Sequence, residues 1–279
     1  MVLSSPKSRI VGQLVAISFL FINGLFKNIS LDGLFGYYHM PIALSFFIVI
    51  FIMLAIINSY NLIDGVDGLA GTIGIVIFIV YATIFFATNL YFYGLLSISL
   101  VGILSAYLLY NFSESKKIFM GDTGSLIVGF CISFLTLKFL AMDAADFGSH
   151  HFHVHDKLFM VVVILFIPFF DTSRVIGIRL LEKRSPFSPD RNHIHHLLSD
   201  AGLSHKKISL VLGILNLILI AVLIRVSTRF NSLQLLFIII GCYTVLLVVL
   251  YILKKKIKNE KPFAFLLDRL RKVFEKNKN

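Results

Sequence analysis

Charge is what this sequence has least of. Asp, Glu, Lys and Arg make up 15% of its 279 residues, while 57% are hydrophobic. Soluble globular domains carry charge on about a quarter of their residues, so that class is excluded. Cysteine is nearly absent too: there are only two, Cys131 and Cys242, each inside an apolar run. This excludes a disulfide framework or a cysteine-ligated metal site and leaves both as small packing residues. No cleavable signal sequence stands out, because the first apolar run lacks a small-residue cleavage site and many further runs follow it. There is no soluble domain, low-complexity tract or clear internal repeat. A β-barrel is excluded because the apolar runs are continuous rather than alternating.

What the sequence does contain is a series of apolar runs, each near the roughly 20 residues that a helix needs to cross a bilayer. The fold class is therefore all-α, a polytopic integral membrane helical bundle of about eight transmembrane helices. The expected spans are 10–26, 41–59, 69–89, 91–110, 125–141, 157–180, 208–225 and 233–253. They form one domain over 1–253, followed by a basic tail at 254–279. Much of the net charge of +11 sits in that tail, which is expected to anchor on anionic lipid and not to bind nucleic acid. With the N-terminus in the cytoplasm, segments 1–9, 60–68, 111–124, 181–207 and 254–279 face the cytoplasm and hold most of the Lys and Arg. The other side keeps Lys27, Arg225, Arg229 and the span-edge Lys138 and Lys157. Polar clusters far apart in sequence then share one membrane face.

The densest cluster runs from Asn58 to Gly71 and holds Asn58, Asn61, Asp64 and Asp67 at intervals of three. On a helical turn that spacing lines one side. Acids and amides this close to a bilayer are expensive unless they face a cavity, a metal or a polar substrate. The plain alternative is a loop in which one of them caps the next helix, but a cap needs one such residue and not four. Asp122 lies between glycines just before an apolar span, and alone it suits a helix cap equally well. With Asp64 and Asp67 on the same face it completes an oxygen-rich site suited to Mg²⁺, which binds one or two carboxylates together with waters and substrate phosphates. Asp171 and Arg174, three apart in the sixth span, suit a structural ion pair first and an element orienting the site second.

The loop after the sixth span contains Arg191, His193, His195 and His196 behind two prolines. Arg offers a planar fork to phosphate oxygens and His can donate to them. Zinc ligation by the three histidines is the weaker alternative, since no cysteine is near and their spacing does not match structural sites. A second histidine group, His150, His151, His153 and His155, falls on the opposite face and is expected to be a solvated loop. An acidic magnesium-type site facing a cationic loop at a lipid surface fits the handling of a nucleoside diphosphate beside a lipid phosphate.

Three motifs carry a resemblance: Asn58-x-x-Asn61-x-x-Asp64-Gly-x-Asp67-Gly-Leu, Phe119-Met-Gly-Asp122-x-Gly-Ser, and Ser-Pro-Phe-Ser-Pro-Asp-Arg191-x-His193-Ile-His195-His196. In this order they resemble the polyprenyl-phosphate N-acetylhexosamine-1-phosphate transferases. The resemblance implies a multi-span bacterial inner-membrane enzyme with its active site on the cytoplasmic face. It would use Mg²⁺ to move a sugar 1-phosphate from a UDP-N-acetylhexosamine, nearest to UDP-N-acetylglucosamine, onto undecaprenyl phosphate, releasing UMP and starting a cell-envelope polysaccharide. By position, Asn61 and Asp122 match magnesium-associated residues, and Asp64 and Asp67 match essential aspartates. Asn58 falls among the substrate-binding residues. Asn111 and Phe119 match the uracil holders, Phe119 by stacking, and Arg191, His193, His195 and His196 match the loop that engages diphosphate and sugar. The family pattern also has an adjacent Asp-Asp pair and further spans ahead of the span at 10–26, and no Asp-Asp occurs in these 279 residues. Sequence upstream of Met1 is expected to supply the pair behind apolar spans of roughly 20 residues. Two other functions stay open: an inactive homologue that binds a UDP-sugar or lipid phosphate, and an ion-coupled transporter. Self-association into a homodimer also stays open.

Overall fold

Long stretches of Ile, Leu, Val and Phe leave the backbone no partner but itself, so in an apolar medium they close into helices. A computed structural model describes residues 6–22, 41–142, 144–147, 157–186, 188 and 191–276, and every regular element among them is helical. In chain order these are α1 (Pro6–Ile22), α2 (Ile42–Ile63), α3 (Leu69–Ala87), α4 (Tyr91–Asn111), α5 (Gly121–Leu140) and α6 (Ala144–Phe147). Then follow α7 (Lys157–Ile164), α8 (Phe166–Leu181), α9 (Ile194–Asp200), α10 (His205–Ser227) and α11 (Ser232–Lys276).

Among the described residues, α2, α3, α4, α5, α10 and the Ser232–Ile257 part of α11 are long and apolar enough to cross a membrane. The pair α7 and α8 is also long and apolar enough when taken together, but is bent by 80° at the break between the two helices. The chain is thus a multi-pass membrane helical bundle. The first expected span forms the shorter α1, and its far end, like the cluster His150, His151, His153 and His155, lies outside the described residues. Two boundaries differ usefully from the sequence reading. Helix α2 continues to Ile63, and α5 begins at Gly121, which places Asp122 in its first turn. The stretch from Lys254, expected as a basic tail, continues α11 as helix through Lys276.

Helix α2 lies against α5 and α8, and α3 lies against α4 and α10. The first contact is close because Gly129 faces the α2 backbone, where a Cβ would stand 3.0 Å from the Ile57 Cα. Small residues permit such approaches, and in lipid this packing holds helices together where water exclusion cannot. The core includes Met53, Ile57, Ile73, Phe78, Tyr81 and Ile132, each nearly or fully buried. Two of its hydroxyls are paired: Tyr81 shares a 2.6 Å hydrogen bond with Thr136, and Tyr60 donates to the Ala70 carbonyl at 2.6 Å. Phe19, Phe51, Phe92, Leu109 and Phe237 point outward and are exposed, as a lipid-facing belt requires.

The break between α7 and α8 has a specific cause. Pro168 has no N–H to offer the Ile164 carbonyl four residues earlier. Asn216 of α10, fully buried, meets both loose ends: its amide faces the Ile164 carbonyl at 3.5 Å and its oxygen faces the Ile167 N–H at 3.4 Å. Asn216→Leu strands two buried backbone groups, each worth about 1–3 kcal/mol. We expect this variant to unfold at clearly lower temperature in detergent, whereas Asn216→Gln, which keeps the amide, loses less.

Candidate active site

The turn between α2 and α3 carries both aspartates of the first motif. Asp64 ends α2 as its C-cap, and Gly68, at φ +76°, turns the chain into α3. Gly68 is required twice over, because the Phe112 ring also occupies the space a Cβ would need. Of the four residues expected on one side, only Asn58 and Asn61 are within the helix. Asn58 sits one turn deeper and donates to Gln13 of α1 at 3.1 Å and to the Leu54 carbonyl at 2.8 Å, away from the carboxylates. Asn61 donates to Ser125 Oγ at 2.7 Å and approaches Asp122 Oδ1 at 3.5 Å, which joins α2 to the first turn of α5. Asp122 also pairs with Arg9 of α1 at 2.9 Å. An acid in a helix's first turn is favoured by the helix dipole as well.

The two aspartates of the turn have opposite surroundings. Asp67 accepts from Lys117 Nζ at 2.7 Å and contacts His205 Nδ1 at 2.8 Å. Partial burial alone would raise its carboxyl, but the hydrogen bonds and charges of Lys117 and His205 outweigh burial and hold it below the ordinary value. Asp64 has no hydrogen-bonding or ion-pairing partner for its side chain among the described residues. Burial first, then the charges of Asp122 and Asp67, push its carboxyl up to about 6. Neighbouring carboxyls pulled apart in this way are suited to different tasks.

Asn111 closes α4. Its amide donates to the Ile118 carbonyl at 2.7 Å, while its own oxygen is buried without a partner. The loop so tied presents Phe119, 74% exposed, with Lys117 Nζ 5.2 Å from its ring centre.

The histidine loop hangs from Asp171. This buried carboxylate accepts from Arg174 at 2.9 Å, from His193 Nδ1 at 2.8 Å and from the Ile194 N–H at 2.8 Å. Arg174 in turn donates to the Asn192 carbonyl, and Lys254 of α11 holds the Asn192 side chain at 3.0 Å. The pair read first as structural is that and more: it fixes where α9 starts. His195 then packs on the turn, its ring filling the space a Cβ on Gly65 would need, so the third motif touches the first between Asp64 and Asp67. Burial first, then His196, push the His195 imidazole down to about 4, so it is neutral near pH 7. Burial and the Arg191 charge lower His196 as well, and Arg191 itself stays at the surface. His193 is committed to Asp171 and stacks on His195, with ring centres 5.6 Å apart, and no group of three His, Cys, Asp or Glu at metal-holding distance occurs among the described residues.

Asp64, Asp122 and Asn61 instead offer hard oxygens, and nearby negative charge disfavours the Asp64 carboxylate. That donor set fits Mg²⁺ completed by water and substrate phosphates.

The family model described as glycosyl transferase family 4 matches residues 2–140. The probable undecaprenyl-phosphate N-acetylglucosaminyl 1-phosphate transferase of Bacillus subtilis is 35% identical over 222 residues, 78% of this chain and 58% of the relative. The chain belongs to glycosyl transferase family 4. Other relatives agree. The undecaprenyl-phosphate alpha-N-acetylglucosaminyl 1-phosphate transferase of Yersinia pestis is 30% identical over 71% of this chain and 52% of its own. The decaprenyl-phosphate N-acetylglucosaminephosphotransferase of Mycobacterium leprae is 30% identical over 74% and 54%. The chain spans about half the length of the curated relatives it matches.

Sequence reasoning missed several residues of this candidate site. Arg9, Lys117, Ser125 and His205 each contact a motif residue. Lys117 could have been suspected from its place two residues before Phe119. His205, 138 positions from Asp67, has no local pattern to give it away.

Proposed function

We propose that this chain transfers N-acetylglucosamine 1-phosphate from its UDP-sugar to undecaprenyl phosphate and releases UMP, at the cytoplasmic face of a bacterial inner membrane. The observation that carries this is the meeting of three motifs at one end of the bundle: His195 seated on Gly65, between Asp64 and Asp67, with Asn61 reaching Asp122. The names of the relatives supply the sugar and the lipid.

In the proposed reaction an oxygen of the lipid phosphate attacks the sugar-bearing phosphorus. The bond from that phosphorus to the bridging oxygen breaks, and the oxygen leaves on UMP. Bound Mg²⁺ would neutralise charge on the diphosphate, held by Asp122 and Asn61 with Asp64 beside them. Phe119 offers a stacking face, and the unpartnered Asn111 oxygen beside it can accept from a pyrimidine N–H. Arg191 would supply the cationic fork for phosphate oxygens, with His196 as a further donor beside it. A phosphate monoester loses its last proton near pH 6, and the Asp64 carboxylate would stand ready to accept that proton where it is still present. Positioning and charge neutralisation contribute most of the rest.

Purified protein, radiolabelled UDP-N-acetylglucosamine and undecaprenyl phosphate test this. UMP release that needs both lipid and Mg²⁺ supports the transferase. Nucleotide binding without release points to an inactive binder, and pH-driven uptake into vesicles points to a transporter. Asp122→Asn keeps the side-chain volume but removes an anionic ligand. It is expected to raise the Mg²⁺ needed for half-maximal rate by at least the roughly tenfold that losing an outer partner of a metal ligand costs. An unchanged Mg²⁺ requirement removes Asp122 from the metal site.

A further inference from the structure

The turn bearing Asp67 is gripped by a helix that none of the three motifs includes. His205 opens α10, and Ser209 follows one turn later on the same face. His205 Nδ1 lies 2.8 Å from Asp67 Oδ2, and Ser209 Oγ donates to the Asp67 carbonyl at 2.6 Å. The Asp67 backbone nitrogen is 3.4 Å from the same Nδ1. An imidazole nitrogen holds either a proton or a lone pair, so Nδ1 cannot both donate to the carboxylate and accept from the N–H; the shorter contact is the bond, with Nδ1–H donating to the carboxylate. One helix face therefore fixes both the backbone and the side chain of Asp67.

That face is firmly seated. Ile208 and Leu212 are buried, and Gly213 fits against Thr72 of α3, where a Cβ would stand 2.5 Å from the Thr72 methyl. Lys117 reaches the same oxygen, Oδ2, but on a flexible four-carbon stem from a loop. Lys117 thus supplies charge, and His205 supplies a fixed direction. Both take Oδ2, which leaves Oδ1 as the oxygen Asp67 presents to a ligand.

We propose that His205, with Ser209 behind it, is a positioning residue of the transferase: its Nδ1–H locks Asp67 so that Oδ1 faces the substrate. This role rests on the transferase reading, whereas the clamp itself does not.

Asn and Gln separate direction from bulk. In His205→Asn the amide nitrogen falls where Nδ1 stands, whereas in His205→Gln it falls one atom further out. Turnover of purified full chain with UDP-N-acetylglucosamine and undecaprenyl phosphate is expected to fall by roughly ten- to a hundredfold in His205→Leu and His205→Gln. His205→Asn is expected to recover most of it, and KM should change less than kcat. A second readout needs no activity: thermal unfolding in detergent of His205→Leu, Asp67→Ala and the double variant. The clamp predicts that the two losses do not add. Additive losses, a His205→Leu enzyme as fast as the unaltered chain, or a His205→Asn enzyme as slow as His205→Leu would each overturn the proposal. If the unaltered chain releases no UMP, the transferase reading fails, and the unfolding cycle alone decides the clamp.

Discussion

Asp64→Asn is expected to give a protein that is more stable than the unaltered chain and nearly inactive. The Asp64 carboxyl rises from 3.8 to about 6 because burial, Asp122 and Asp67 all disfavour its charge. A group with a raised pKa in the folded state stabilises fully below its unfolded value, and that contribution is lost as pH rises through the folded value. Near neutral pH, without metal, the unaltered chain therefore bears an unfavourable carboxylate that Asn lacks. The two proteins should melt alike near pH 4, diverge up to about pH 6, and hold a constant gap above about pH 7. Adding Mg²⁺ should raise the melting temperature of the unaltered chain more than that of the variant, because the cation relieves the same repulsion. Turnover of Asp64→Asn should drop by about 10²–10⁴-fold, the range for a group that moves a proton in the reaction. A variant that melts lower than the unaltered chain at neutral pH would show that Asp64 is held by favourable contacts. Turnover within tenfold would remove it from the chemistry.

The second large effect concerns Asp171. Asp171→Leu leaves Arg174 buried without its carboxylate and cuts the anchors of His193 and Ile194. Breaking such a pair from one side costs roughly 3–5 kcal/mol, so the variant should express poorly or melt far lower. Replacing both members by apolar residues of similar size often restores stability. The double variant Asp171→Leu with Arg174→Met should therefore recover most of the melting temperature. It should not recover turnover, because nothing then fixes the start of α9 or seats His195 against Gly65. Stability and activity moving apart in the double variant would establish that the pair places the histidine loop. Recovery of both would make it a structural pair and nothing more.

The sequence made the spans legible because their signal is local: each is a run of apolar side chains with a polar segment at either end. That the polar clusters meet was legible as well, since a bundle of spans with the Lys- and Arg-rich segments on one side puts them at the same end. The shared site then followed for Asn61, Asp64, Asp122 and His195. Contacts between distant segments were not legible. Arg9 with Asp122, Lys117 with Asp67 and His205 with Asp67 leave no periodic trace, since each is made only when helices pack. Asn58 shows the opposite error. Spacing alone put it beside the carboxylates, but α2 ends between Asn61 and Asp64, and Asn58, one turn deeper in the helix, faces Gln13. The broken span did leave two clues in the sequence, Pro168 and Asn216, each a residue out of place in an apolar run. Read separately, neither announces a bend. Together they are the missing donor and its replacement.

The central claim, that a sugar 1-phosphate moves from a nucleotide to a lipid at this site, is tested most directly by following the two phosphates separately. UDP-N-acetylglucosamine labelled in the sugar-bearing phosphate is given to the purified chain with undecaprenyl phosphate and Mg²⁺, in parallel with substrate labelled in the phosphate next to uridine. The first label is expected to pass into the lipid phase and the second to stay in water as UMP, in equal amounts, with both transfers lost in Asp64→Asn. Lipid that gained the sugar without the label, or first label that stayed in water while UMP accumulated, would contradict the claim.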